Sequence, residues 1–443
     1  MSDVSATGEL VDCLVIGGGL AGLACAHRLV VSGRSVHVLE AEESPGGRAR
    51  TVWHRGRPVD RGFQVMFRSY PRARELARAV GIANRDLRPV AGGAVFVNDG
   101  RSERLGGSRF GLAGFKGMPP ADRARLARFG AGVARQSVEA LLEQDSDAGT
   151  TEALLRQIGL SDQAIEGVLR PLFGVITLDR TLSADPGYFR FLVSMLVRGP
   201  SVIPSDGLGM LAEWTSASVR QQGGVVELGA RVVALEAGPD DRRLTGVRLA
   251  DGRVLKGRHV VLAVEGPAGK ELLEPVDSAS AGRLPREYAS ALNAAFSLRT
   301  PLYSGRSIVL NAEPGSPDVP RVDLLCQTSN ITRPGAPEGP HILLATSVTT
   351  GGAAPADLVA EVGALVRRWA PRYDWDGLAE PLGVYEHPHA QFRPLQGVRR
   401  DLPGPRSSLD NLILAGDATA HPSIEGAVSS GVRAAEIVDA LTP

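Results

Sequence analysis

Gly17, Gly19 and Gly22 fall on the pattern G-x-G-x-x-G, Glu40 follows, and Gly46, Gly47 and Arg48 come soon after it. This set has the chemistry of a dinucleotide grip. The first glycine permits a tight turn, the second lets the backbone approach a pyrophosphate, and the third lets a helix pack closely on a strand. A carboxylate about twenty residues on accepts hydrogen bonds from ribose hydroxyls and repels a 2′-phosphate, so NADP is disfavoured. Arg48 returns a fixed cation toward the phosphates on a flexible loop. Near the other terminus, "AGDATAHPSIEGA" sets Gly416 and Asp417 ahead of a helix start at Ser423. His421 and His389 are candidate catalytic bases, and His387 lies beside them. Cys13, Cys25 and Cys326 have neither metal nor redox-pair spacing; they read as core residues of a protein in the reducing cytoplasm, and no metal site is expected.

The elements that must position these groups are legible in the apolar patterning. "CLVIG" reads as a buried strand, "LAGLACAHRLVVSG" as a helix ending at Gly33, and "SVHVLE" as a second strand, which together make a βαβ unit. A diffusing NAD would call for a further βαβ repeat at this point, and the chain does not supply one. "NLILAGDATAHPSIEGAVSSGVRAAEIVDAL" reads as strand, turn and helix. The stretch from Gly223 to Val264 reads as a meander, with a turn at Pro239-Asp240-Asp241 and a hairpin tip at Asp251-Gly252. The block 75–205 reads as helical and 272–380 as strands with the helix "PADLVAEVGALVRRWA".

Bulk properties narrow the function further. Forty-nine basic and 49 acidic residues cancel, which excludes the polycationic surface of a nucleic-acid protein. The first eleven residues lack a secretory layout, and no apolar run reaches the ~18 residues of a membrane span. The basic stretch "ADRARLARFGAGVAR" admits two readings, a solvated helix face or peripheral contact with a membrane surface.

With the fingerprint, Glu40, the GGR of Gly46 to Arg48, Asp60-x-Gly62 and the closing AGD motif in view, the chain resembles the flavin-containing amine oxidase and phytoene desaturase superfamily. The resemblance implies an α/β fold: a glutathione-reductase-type FAD-binding Rossmann domain with an inserted mixed α+β substrate domain. The FAD domain would comprise 9–74, 206–271 and 381–443, the substrate domain 75–205 and 272–380. It implies a resident FAD held by Gly17, Gly19, Leu20, Ala21, Gly22, Glu40, Ala41, Gly46, Gly47, Arg48, Gln64, Val65, Val232, Gly416, Asp417, Ser423, Ile424 and Ala427. The closing helix would aim its positive end at the flavin's pyrimidine edge. One departure is Glu42, where relatives often carry arginine.

The segment from Thr151 to Leu211 resembles the carotenoid and squalene branch. That likeness implies a small apolar, isoprenoid substrate and hydride abstraction, with desaturation as the leading form. Amine oxidation, a protoporphyrinogen-oxidase-like reaction, flavin-dependent isomerisation and a non-catalytic lipid carrier of the same fold are the alternatives. Amine oxidation lacks its usual aromatic at Ser423 and its lysine in the strand around Ala291 to Leu302, leaving Tyr385 and Phe392 to hold a cation. Retention of both Glu40 and Asp417 speaks against the carrier.

Overall fold

The computed structural model describes residues 10–106, 111–143, 149–238, 242–313, 321–333, 339–349 and 355–442. The β-branched run Val11–Ile16 is a central strand, parallel to Val36–Leu39 on one side and to Val254–Leu262 on the other. Helices on the faces of such a sheet explain why it is apolar without alternation. Leu412–Leu414 also pairs in parallel with Val254–Leu262, so the C-terminal segment enters the sheet that the N-terminal segment begins. Val232–Ala237, Leu244–Leu249 and the start of Val254–Leu262 form the antiparallel meander. Its Asp251-Gly252 tip is a turn with Gly252 at φ 90°, while the expected turn at 239–241 lies outside the described residues.

The two chain ends meet through a helix pair. Leu20–Val31 follows the glycine turn, Ile424–Leu441 closes the chain, and they pack face to face. A side chain at Gly431 would put its Cβ 2.1 Å from the Ala21 carbonyl oxygen. Only a bare Cα permits this approach. Cys13 and Cys25 lie fully buried in the strand and helix of this same layer, as core residues.

A second seven-stranded sheet runs in the order Ala379–Phe392, Tyr288–Leu298, His341–Thr349, Leu324–Cys326, Ser307–Asn311, Gly93–Asn98 and Arg101–Leu105. The last two strands correct the helical reading of 75–205. "GGAVFVNDGRSERL" alternates around an Asp-Gly hairpin turn, with Asp99 at φ 49° and Gly100 at φ 71°. Short strands at Leu87–Pro89 and Ser201–Pro204 add to the correction. Among the described residues, helices in this part of the chain lie at Pro71–Ala79, Pro120–Val133, Val138–Glu143, Thr151–Gln157, Arg170–Ile176 and Pro186–Arg198.

A buried ion pair ties this helical block to the second sheet. Arg180 grips Asp323 with two hydrogen bonds, Nε at 2.9 Å and Nη2 at 2.7 Å, and Asp323 also accepts the Val348 amide at 2.7 Å. Asp323→Ala takes the carboxylate from a buried guanidinium, which is expected to lower unfolding free energy by about 3 kcal/mol. A urea midpoint within error of wild type would refute it.

Candidate functional site

One cavity of about 1810 Å³ lies between the two sheets and the helical block. Pockets for a single small ligand run to ~300–1,000 Å³, so this space has room for more than one molecule. Of the cofactor residues expected from the sequence, every one except Gly22 lines it. Gly22 sits beneath the wall, where a Cβ would stand 2.0 Å from the Gly17 carbonyl oxygen. Its contribution is the close helix-on-strand packing that the pattern implies.

The cradle has the shape and donors a dinucleotide needs. Gly17 turns at φ 103°, a Cβ on Gly19 would meet nothing within 4 Å, and Gly19 bridges to Gly46 across the opening. Glu40 is buried; its Oε2 accepts the Gly18 amide at 2.6 Å and Oε1 the Glu42 amide at 2.9 Å, which fixes its carboxylate at the cavity edge. No acidic residue occupies the first turn of Leu20–Val31, and Leu20 and Ala21 of that turn line the cavity, so the positive end of the helix lies at the space. These features fit FAD. Glu42, the departure noted above, pairs with Arg50 at 3.4 Å and Arg231 at 3.8 Å.

Arg48 joins the two termini electrostatically. Its Nη2 is 2.8 Å from Asp417 Oδ1 and its Nη1 donates to the Ala390 carbonyl at 3.0 Å. The Asp417 carboxylate holds the guanidinium above its ordinary basicity against the opposing effect of burial. Gln64 donates to the Arg48 carbonyl at 3.4 Å.

At the head of the closing helix, Ser423 caps the Gly426 amide at 3.0 Å and lies 3.0 Å from His421 Nδ1. Glu425, in the first turn, would cancel the helix's positive end if it faced the cavity. It turns away instead and accepts the amides of Arg72 and Ala73, at 2.9 and 3.0 Å, capping the helix Pro71–Ala79. Sequence reasoning did not anticipate this staple.

The histidines divide. His421 is not in the cavity wall: its ring packs on Phe191, with centroids 4.7 Å apart, and stands behind Ser423. The structure thus moves it from candidate base to support for the cap. His389 does line the cavity, 3.8 Å from Glu265 and edge-on to Tyr288. His387 also lines it, and its Nε2 lies 3.1 Å from the Arg61 carbonyl. A carbonyl only accepts, so Nε2 carries the proton.

Other wall residues were missed. Tyr70 and Tyr188 flank Ser423, Tyr188 donating to the Pro422 carbonyl at 2.6 Å, and both stack on Phe191. Aromatic surface beside position 423 therefore comes from the cap of one other helix and the first turn of a second. The cation-holding candidates fail: Arg61 already covers the Tyr385 ring at 5.3 Å, and Phe392 is buried outside the wall. Asn293 and Thr346 place polar groups in the wall from the middle of apolar strands. Leu172, Val175, Leu192, Val193 and Leu196 from two helices and Leu310 from the second sheet form an apolar stretch of the wall.

Two buried groups near the site give opposed pH dependences. Burial takes His421 down to about 4 from an ordinary 6.5, and takes Asp60 up to about 6 from 3.8. As pH falls from 6.5 toward 4, the unfolded chain protonates its histidine first and His421 withdraws stability; Asp60, favoured neutral in the fold, restores it from 6 toward 3.8. Each effect is worth about 3 kcal/mol across its window. Asp60→Asn is expected to lose stability more steeply than wild type on acidification and His421→Gln less steeply. Parallel urea-midpoint profiles for all three proteins would contradict this.

The parallel sheet, its glycine turn and the cavity beneath define a dinucleotide-binding oxidoreductase fold. The flavin containing amine oxidoreductase family matches residues 20–439, and the chain belongs to that family. It is an FAD-dependent oxidoreductase. A hydroxysqualene dehydroxylase of Sinorhizobium fredii is 26% identical over 445 residues, covering 96% of this chain and 97% of its own. A hydroxyneurosporene desaturase of Cereibacter sphaeroides is 49% identical over 53 residues, 12% of this chain and 11% of its own. The solved structure of cyclohexylamine oxidase from Brevibacterium oxydans superposes with a TM-score of 0.69 at 19% identity, covering 98% of this chain and 100% of that one.

Proposed function

We propose that this enzyme exchanges a hydride between FAD and one carbon of a long isoprenoid, and that the net reaction removes a hydroxyl group from that chain. The observation that carries the reading is the single cavity in which the dinucleotide cradle and a wall of Leu and Val side chains are continuous. Bound FAD would supply two-electron hydride chemistry. The cradle residues from Gly17 to Arg48, together with Asp417 and the head of the closing helix, would hold it. The Leu172, Val175 and Val193 surface would bind the hydrocarbon, at about 0.8 kcal/mol per buried methylene, and exclude water from the reacting carbon.

In the dehydroxylation reading, hydride enters the carbon that bore the hydroxyl, and the hydroxyl group takes up one proton and leaves as water. A two-electron donor of the reduced nicotinamide or quinol class restores the reduced cofactor. The relative that aligns from end to end supports this direction by its name. Desaturation, in which the chain loses hydride and a proton, is the second reading. The short, strong match to a hydroxyneurosporene desaturase favours it. Among the described residues no helix is long and apolar enough to cross a membrane. Arg123, Arg198 and the exposed Val197 rim the cavity and suit contact with a lipid surface from which so apolar a substrate is drawn.

Anaerobic spectroscopy tests the reading. Protein reduced by light should regain its yellow colour on addition of hydroxysqualene and release squalene. Bleaching of the oxidised protein by phytoene would select desaturation. No spectral change with either compound would overturn both.

A further inference from the structure

Asn293 lies in the strand Tyr288–Leu298, 4% exposed, with its side chain in the cavity wall. Its Oδ1 accepts from the Phe63 amide at 3.3 Å and from Thr346 Oγ1 at 2.7 Å. A backbone N–H can only donate, so the atom it meets must be the amide oxygen, and the orientation of the side chain is settled by chemistry. The NH2 group is thereby turned the other way. Among the described residues Asn293 makes no side-chain hydrogen bond beyond these two, and both fall on Oδ1. A Cβ on Gly62 would lie 3.4 Å from Asn293 Nδ2 and 3.4 Å from His387 Nε2, so the two side chains stand side by side next to Gly62 in the cavity wall. The Nε2 proton of His387 is committed to the Arg61 carbonyl. The Asn293 protons remain free to donate into the cavity.

We propose that Asn293 is the specificity-determining residue that reads a hydroxyl oxygen on the isoprenoid, its Nδ2 donating to that oxygen from the cavity wall beside Gly62. This rests on the isoprenoid reading above and adds a residue to it. A hydrocarbon lacking the oxygen leaves a desolvated donor without a partner, whereas an alcohol of the same length satisfies it; sites of this kind discriminate strongly against the analogue that lacks the group. Thr346 is a positioning residue, since its hydroxyl holds Oδ1.

Equilibrium binding of squalene and of hydroxysqualene to the oxidised holoenzyme, followed by the shift of the flavin absorbance, supplies the test without turnover. Wild type should bind the alcohol about tenfold more tightly than the hydrocarbon. Asn293→Leu should abolish the preference while leaving squalene affinity within about twofold. Asn293→Asp keeps the shape and both acceptor contacts but loses the donor, and should abolish it too, so the answer does not hang on one variant folding. Squalene binding with no alcohol preference, or a preference that survives both substitutions, overturns the assignment of Asn293 alone. Failure of squalene itself to bind wild type overturns the isoprenoid reading and this inference with it.

Discussion

Gly431→Val is expected to yield protein that neither retains flavin nor reaches wild-type stability, although residue 431 touches no expected cofactor contact except through Ala21. The new Cβ would sit 2.1 Å from the Ala21 carbonyl oxygen and 3.1 Å from the Cys25 amide nitrogen, backbone atoms that no rotamer change can move aside. The two helices must separate. One of them begins at the glycine turn, and the other carries Ser423, Ile424 and Ala427 at its head, so separation pulls the halves of the cradle apart. Overpacking typically destabilises by ~1–3 kcal/mol, and a clash of backbone with backbone belongs at or beyond the top of that range. The ratio of flavin to protein absorbance after gel filtration, read beside the urea midpoint, measures both effects. Stoichiometric flavin with an unchanged midpoint would show that the termini do not converge as described.

That convergence was legible because each terminus carries its own pattern: an apolar strand, a glycine or AGD turn, and a helix of period 3.6. What the sequence obscured has a physical cause in each case. The hairpin around Asp99-Gly100 was hidden by arginine-rich helical segments on either side, although its Asp-Gly turn was a readable signal. His421 reads as a base because it lies on a segment expected to approach the flavin, yet burial beside Phe191 cannot be inferred from spacing. The aromatic surface beside Ser423 has no local sequence signal, because Tyr70 arrives from the cap of one distant helix and Tyr188 from the first turn of another. Asn293 stands in "ALNAAF", in the strand where the family pattern points to a lysine and this chain has none. A lone asparagine in a strand buried along most of its length was itself the signal, since such a group must find partners or face a ligand.

The largest kinetic effect is expected from narrowing the apolar part of the cavity. Leu172 and Val175 are three residues apart on the helix Arg170–Ile176, and both are half-buried in the cavity wall. Residues at that spacing share a helix face, so tryptophan at both positions builds one continuous obstruction. Because the new bulk enters open space instead of a filled core, the fold should tolerate it, and the cradle, formed by other elements, should keep its flavin. Denying the site to about four methylene groups of substrate forfeits roughly 3 kcal/mol of binding. For a thirty-carbon isoprenoid, kcat/KM of Leu172→Trp/Val175→Trp should therefore fall by about 100-fold or more. A ten-carbon alcohol that ends short of the obstruction should be turned over within about threefold of wild type. The comparison of chain lengths is what gives the result meaning: equal losses for both substrates would indicate damage at the reacting carbon. Unchanged turnover of the long chain would mean that the hydrocarbon takes another path from the flavin.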